Sequence, residues 1–206
     1  MWDGRPWDAA TVTATPGIVV TALATTPVKG LRLVAACELT LGASGAPDDR
    51  RFYVVDERGR MVNGKRSGAL CTVVADYRHG DRALTLRLPG GEVVSGTVQL
   101  GEQIDTRFFS RPASATVVLG AWSDALTEHA GQPLRLVESV GRLGVDRGRE
   151  GAVSLVSRGS LARLARVAGT DVVDARRFRM LVEVDGVAAH EEDAWIEGHA
   201  VRTRRA

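Results

Sequence analysis

The stretch Gly59–Arg66 reads GRMVNGKR and comes within one residue of a phosphate-binding P-loop. Such a loop wraps a phosphate in backbone N–H groups, adds a lysine, and needs Ser or Thr next to reach magnesium. Arg66 stands in that place, and the following SGALCTVVADY is strand-like rather than helical. The segment therefore reads as the end of a hairpin. His190, Glu191, Glu192 and Asp193 are a second cluster, of types that could hold a hard cation. Neighbours on an extended chain point to alternate sides and do not converge on one ion, so this reads as a solvated turn before Trp195. Cys37 and Cys71 lie in apolar, strand-like contexts and read as buried structural cysteines. The chain has no GxGxxG, HExxH or CxxC, and no GxSxG elbow. His79 and His129 carry no motif.

The elements that must position any site are mostly strands. Residues 1–17 lack periodicity and read as a loose arm. IVVTALATT and LRLVAACELT flank a turn at Pro27–Gly30. RFYVVD and RMVN form a hairpin closed by Glu57, Arg58 and Gly59, and ALCTVVADY, ALTLRL and EVVSGTVQL follow between HGD and PGG turns. Two helices are expected. SDALTEHAG has Ser123 as N-cap and Gly131 as stop; SRGSLARLARVAG has Ser157 before it and Gly169 after it. In the second, Leu161, Leu164, Ala165 and Ala168 share one face. RFRMLVEVDG then reads as a strand ending at Asp185-Gly186. This order is mainly β, a curved sheet or barrel with a few short helices.

Composition narrows the function. A chain of 206 residues buries a real core. Its net charge of +2 gives no reason to expect nucleic acid or a membrane surface as partner. No apolar run is long enough to span a bilayer, and the first residues do not read as a secretory signal. Two cysteines do not make a disulfide scaffold. A cytoplasmic, reduced protein is the expectation.

Three segments then carry a family resemblance: ALATTPVKGLRL, GAPDDRRFYVVDERGRMVNGKR, and VSLVSRGSLARL followed by DARRFRMLVEVDGVAAHEEDAW. In order and spacing they resemble MOSC proteins, molybdenum-cofactor modules related to the C-terminal part of molybdenum cofactor sulfurases, in the form that carries an extra N-terminal β-barrel domain. The chain departs from the family at Gly30, where Ser is usual, and at Met180-Leu181, where Pro-Asn is more common. The resemblance implies a mainly β fold of the MOSC, pyruvate-kinase-β-barrel type. It implies an arm over 1–17, an N-terminal β-rich domain over 18–140, an incomplete MOSC domain over 141–206, and a cofactor cleft between the two.

The same resemblance implies the ligands. Molybdenum cofactor is a pterin with a dithiolene and a terminal phosphate, and guanidinium and ammonium groups suit that phosphate. Lys29, Arg51 and Arg179 are the implied cofactor-binding residues, with Ser157 and Ser160 at a helix start adding hydroxyl and amide donors. In the family a cysteine thiolate ligates the metal some tens of residues beyond the Trp195–Gly198 segment. This chain reads HAVRTRRA from there to Ala206, so the expectation is a shortened member with no metal ligand identified and the catalytic residues unknown. The implied function is an oxidoreductase or sulfur-transfer protein, by resemblance one that reduces N-hydroxylated compounds with electrons from a separate donor protein. The alternatives are a non-catalytic module binding the cofactor or a sulfur carrier, an inactive remnant, and a plain β-barrel interaction protein.

Overall fold

A computed structural model describes residues 17–42, 45–108, 111–141, 145 and 153–195. Most of the expected N-terminal arm and the residues after Trp195 lie outside these. The chain forms two compact units. The larger spans 24–154; the smaller joins 1–23 to 155–206. No helix among the described residues is long and apolar enough to cross a membrane.

The larger unit is built on strands β2 (Val28–Lys29), β4 (Phe52–Val55), β5 (Met61–Val62), β9 (Gln99–Phe108), β10 (Arg111–Leu119) and β11 (Arg135–Ser139). Their order is β2-β4-β11-β10-β9, with β5 paired to β4, and only the β2–β4 pair is parallel. A meander of β6 (Val74–Arg78), β7 (Ala83–Arg87) and β8 (Val93–Thr97) forms a second, antiparallel sheet. The two-residue strand β3 (Val34–Ala35) pairs with Ala24 and Thr25.

The unbroken apolar run of β4 follows from burial on both faces. Phe52 and Val54 enter a core shared with Leu84, Leu86, Trp122, Leu126 and Leu136. Tyr53 and Val55 point the other way, into a cluster with Met61, Ala115, Val137 and Val145. Each fully buried side chain of this kind contributes roughly 1.5–3 kcal/mol. Helix α1 (Trp122–Ala130) closes the first core; Trp122 Nε1 donates to Leu84 O at 3.2 Å.

In the smaller unit, β1 (Val19–Thr25) contributes Val19–Leu23 to an antiparallel pair with β13 (Val182–Asp185), and β12 (Leu155–Ser157) runs parallel to β13. Helix α2 (Arg158–Ala168) follows β12 directly. The chain is thus mainly β, and no sheet closes among the described residues.

Several expected elements differ. LRLVAACELT keeps only β3 as strand, paired with Ala24 and Thr25, while Arg32 makes an isolated parallel bridge to Val74. ALCTVV begins as a 3-10 helix, Gly68–Thr72, that buries Leu70. Ser123 does not cap α1; the N-cap is Ala121, and Ser123 Oγ instead accepts the Leu136 amide at 3.0 Å. On α2 only Leu161 and Ala165 of the expected face are buried, while Leu164 is 40% exposed. RFRM is not strand. A 3-10 turn covers Ala175–Arg177, and Arg179 follows in the left-handed region at φ 58°. Both cysteines are exposed, Cys37 in irregular chain after β3 and Cys71 on the 3-10 helix, where its thiol points at Gly30 O at 3.6 Å. Gly30 itself sits at φ +97°, a conformation that serine would adopt only with strain.

Candidate functional site

The five implied residues divide between the units. Lys29 and Arg51 belong to the larger, Ser157, Ser160 and Arg179 to the smaller.

Lys29 lies on β2 against β4, and its Nζ stands 5.1 Å from the centre of the Phe108 ring. That is a cation–π distance. Arg51 is the centre of an ionic network. Its Nε donates to Glu138 Oε1 at 2.7 Å, its Nη2 is ion-paired with the same oxygen at 2.6 Å, and its Nη1 donates to Asp48 Oδ1 at 3.0 Å. Arg82 Nη2 donates to the other Glu138 oxygen at 2.8 Å, and His79 Nδ1 hydrogen-bonds Asp48 at 3.1 Å. The Arg51 guanidinium also lies 5.4 Å from the centre of the Tyr77 ring. Burial disfavours its charge, but Glu138 and Asp48 outweigh that and raise its pKa above the ordinary value. Arg51 is therefore first a structural cation, joining the start of β4 to β11 and to the turn around Asp48.

In the smaller unit the start of α2 gathers donors around an anion. Ser157 is fully buried and caps the helix, its Oγ accepting from Ser160 N at 3.0 Å. Ser157 N and Ser160 Oγ both donate to Glu192 Oε1, at 3.0 and 2.6 Å. Ser157 Oγ donates to Ser160 Oγ at 3.0 Å, and His190 N donates to the same oxygen at 2.8 Å. Glu192 arrives on a 3-10 turn, Glu191–Ala194, entered through His190 at φ 65°. Burial pushes the Glu192 carboxyl up, but the hydrogen bonds from Ser160 and Ser157 prevail and hold it below the usual carboxylate range. Its Oε2 is buried and meets no hydrogen-bond partner among the described residues. The acidic cluster is thus not merely a solvated turn. One of its carboxylates reaches the helix end, where the helix dipole favours negative charge.

Gly159 makes this approach feasible. A Cβ there would lie 2.5 Å from Val187 O and 3.0 Å from the Ala188 carbonyl carbon, so only glycine lets the first turn of α2 sit against 187–189. Arg179, at its left-handed position, also belongs to this unit.

A groove of about 620 Å³ runs along α2, lined by Leu161, Ala165, Val172 and Val173 with Arg158 and Arg176 at its rim. None of the five implied residues lines it. Arg158 is engaged by Glu183 at 2.8 Å, and Arg176 by Asp174 at 2.6 Å. The Arg176 hydrogen bond lowers the Asp174 pKa to about 2. Among the described residues, no group of three His, Cys, Asp or Glu could hold a metal ion.

Glu192, Glu138 and Arg82 are site neighbours that sequence reasoning missed. Glu192 stands 32 residues from Ser160 and Glu138 stands 87 from Arg51. No local spacing signals either pair. The helix cap at Ser157 was the one legible hint.

Compared with known proteins, residues 17–129, more than half of the chain, match the family described as the MOSC N-terminal beta barrel domain. A search of curated proteins finds no match. A solution structure of a protein from Bordetella bronchiseptica is similar over 56% of this chain and 98% of that one, with 16% identity and a TM-score of 0.41.

Proposed function

Because the chain belongs to the MOSC N-terminal β-barrel family, we propose that it binds molybdenum cofactor and works as a molybdenum-dependent oxidoreductase or sulfur-transfer protein. The observation that carries this reading is the donor set at the start of α2. A terminal phosphate needs N–H and O–H donors at a positive helix end. The Ser157 amide and the Ser160 hydroxyl already hold a carboxylate oxygen at 3.0 and 2.6 Å. Glu192 is a stand-in anion there, and the residues fit the group.

In this reading Ser157 and Ser160 receive the phosphate. Arg179, in the same unit, is the guanidinium proposed for it, and in the larger unit Lys29 and Arg51 offer cations of their own. Arg51 does so while Glu138 and Asp48 fix its guanidinium. When bound, the cofactor supplies the metal for two-electron chemistry, by family resemblance the reduction of N-hydroxylated small molecules. A separate protein delivers the electrons, and the protein works in the cytoplasm.

The second reading is a binding module without catalysis, for the cofactor or for a sulfur carrier. The cysteines favour it. The chain's two, Cys37 and Cys71, both lie in the larger unit, away from the Ser157–Ser160 donors along the sequence, and Cys71 turns its thiol to a backbone carbonyl. Expression in a cofactor-producing host, followed by release and fluorescence of the oxidised pterin, tests both readings. Pterin at about one per chain supports binding, and N-hydroxyl reduction by the loaded protein then separates enzyme from module. No pterin sinks both cofactor-binding readings.

A further inference from the structure

We propose that Glu192 is a built-in competitor for the anion at the start of α2, holding the serine donors until a phosphate displaces it. The proposal rests on the reading of that helix end as a phosphate site.

Proton accounting carries the argument. A serine hydroxyl has one proton to give. The Ser157 proton goes to Ser160 Oγ, and the Ser160 proton goes to Glu192 Oε1. The Ser157 amide is spent on the same carboxylate oxygen. While Glu192 is in place, neither hydroxyl and not that amide can donate to another anion. Its departure frees the Ser160 hydroxyl and the Ser157 amide.

The carboxylate is held on one side only. Oε1 takes two hydrogen bonds, but Oε2 is buried without a donor among the described residues. A buried charged oxygen left unsatisfied costs free energy, and moving Glu192 into water removes that cost. The turn that carries it adds nothing to the core. Glu191–Ala194 contributes no buried residue, and its entry residue His190 stands at positive φ. A phosphate brings more acceptor oxygens and more charge than one carboxylate to the same donors. The exchange then favours the ligand without disturbing the core residues Leu161 and Ala165.

The test is calorimetric titration of the full chain with inorganic phosphate, using Glu192→Ala, Glu192→Gln and Glu192→Ala with Ser160→Ala. Glu192→Ala is expected to bind phosphate about tenfold more tightly than the parent, the size of one charge-assisted hydrogen bond regained. Glu192→Gln keeps an acceptor but no charge and is expected to gain less. Adding Ser160→Ala is expected to cancel the gain. Folding is checked by near-ultraviolet circular dichroism, and if Glu192→Ala does not fold, Glu192→Gln decides alone. Folded variants that bind no more tightly overturn the proposal, as does a gain that Ser160→Ala leaves intact. Pterin content is measured in parallel. A phosphate gain without pterin in any protein overturns the cofactor reading and keeps this one, whereas pterin without a phosphate gain overturns this one alone.

Discussion

Replacing Glu138 by alanine should destabilise the protein by about 2 kcal/mol. Glu138 is buried on β11, with its side chain 8% exposed, and each of its oxygens takes one guanidinium hydrogen bond, from Arg51 Nε and from Arg82 Nη2, with Arg51 Nη2 in ion-pair contact besides. Removing one partner of a buried pair costs about 3–5 kcal/mol, because the other charge stays behind. Here the stranded charges are partly wet: Arg51 is 25% exposed and Arg82 38%. Asp48 also keeps hold of Arg51. Solvent screening of half-exposed ions brings the figure down to about 2 kcal/mol. Urea denaturation with an unchanged slope measures it. A double-mutant cycle with Arg51→Ala should return a coupling of about 1–2 kcal/mol. A loss under about 0.5 kcal/mol, or no coupling, would refute the idea that Arg51 is held by Glu138. Any cofactor loss in Arg51→Ala would then report ligand binding directly rather than through the fold.

Two further outcomes are expected. Gly120→Ala should cost more than about 2 kcal/mol, since Gly120 stands at φ +134° and a Cβ would meet the Trp122 ring at 2.5 Å; tryptophan fluorescence and the melting temperature read it. Acid should weaken the fold through Asp56 and Glu192. Burial pushes both carboxyls up, but hydrogen bonds prevail and hold them below their ordinary values, for Asp56 from Arg60 and Arg66 and for Glu192 from Ser160 and Ser157. With folded pKa values below the unfolded ones, their contribution is present above about pH 5 and is lost as pH falls through the folded pKa values. Asp56→Asn should flatten the acid limb of a stability-against-pH curve, and an unchanged limb contradicts the assignment.

What the sequence made legible is local. The FYVV run of β4, the Gly59 hairpin and the Ser157 and Gly169 ends of α2 all follow from nearest-neighbour chemistry, and all are found. What it hid depends on partners far along the chain. LRLVAACELT is apolar enough for a strand, but among the described residues its pairing stops at two residues of β1 and an isolated bridge from Arg32 to Val74. RFRM looks like strand, yet the Asp174 side chain accepts from Arg176 N and caps a 3-10 turn instead. The site was legible as residue types and hidden as connectivity. Lys29, Arg51, Ser157, Ser160 and Arg179 are candidates by family resemblance, but nothing near Arg51 announces Glu138 and nothing near Ser160 announces Glu192. Among four consecutive polar residues, His190–Asp193, only the fold selects the one whose carboxylate turns inward.

Molybdenum cofactor is the ligand proposed for this chain. Its most direct test is the pterin and molybdenum content of the protein purified from a cofactor-producing host, beside an Arg179→Ala variant shown to fold by its melting curve. The account predicts about one pterin per parent chain and a large loss in the variant. Parent protein without pterin, or a variant that keeps it in full, would contradict it.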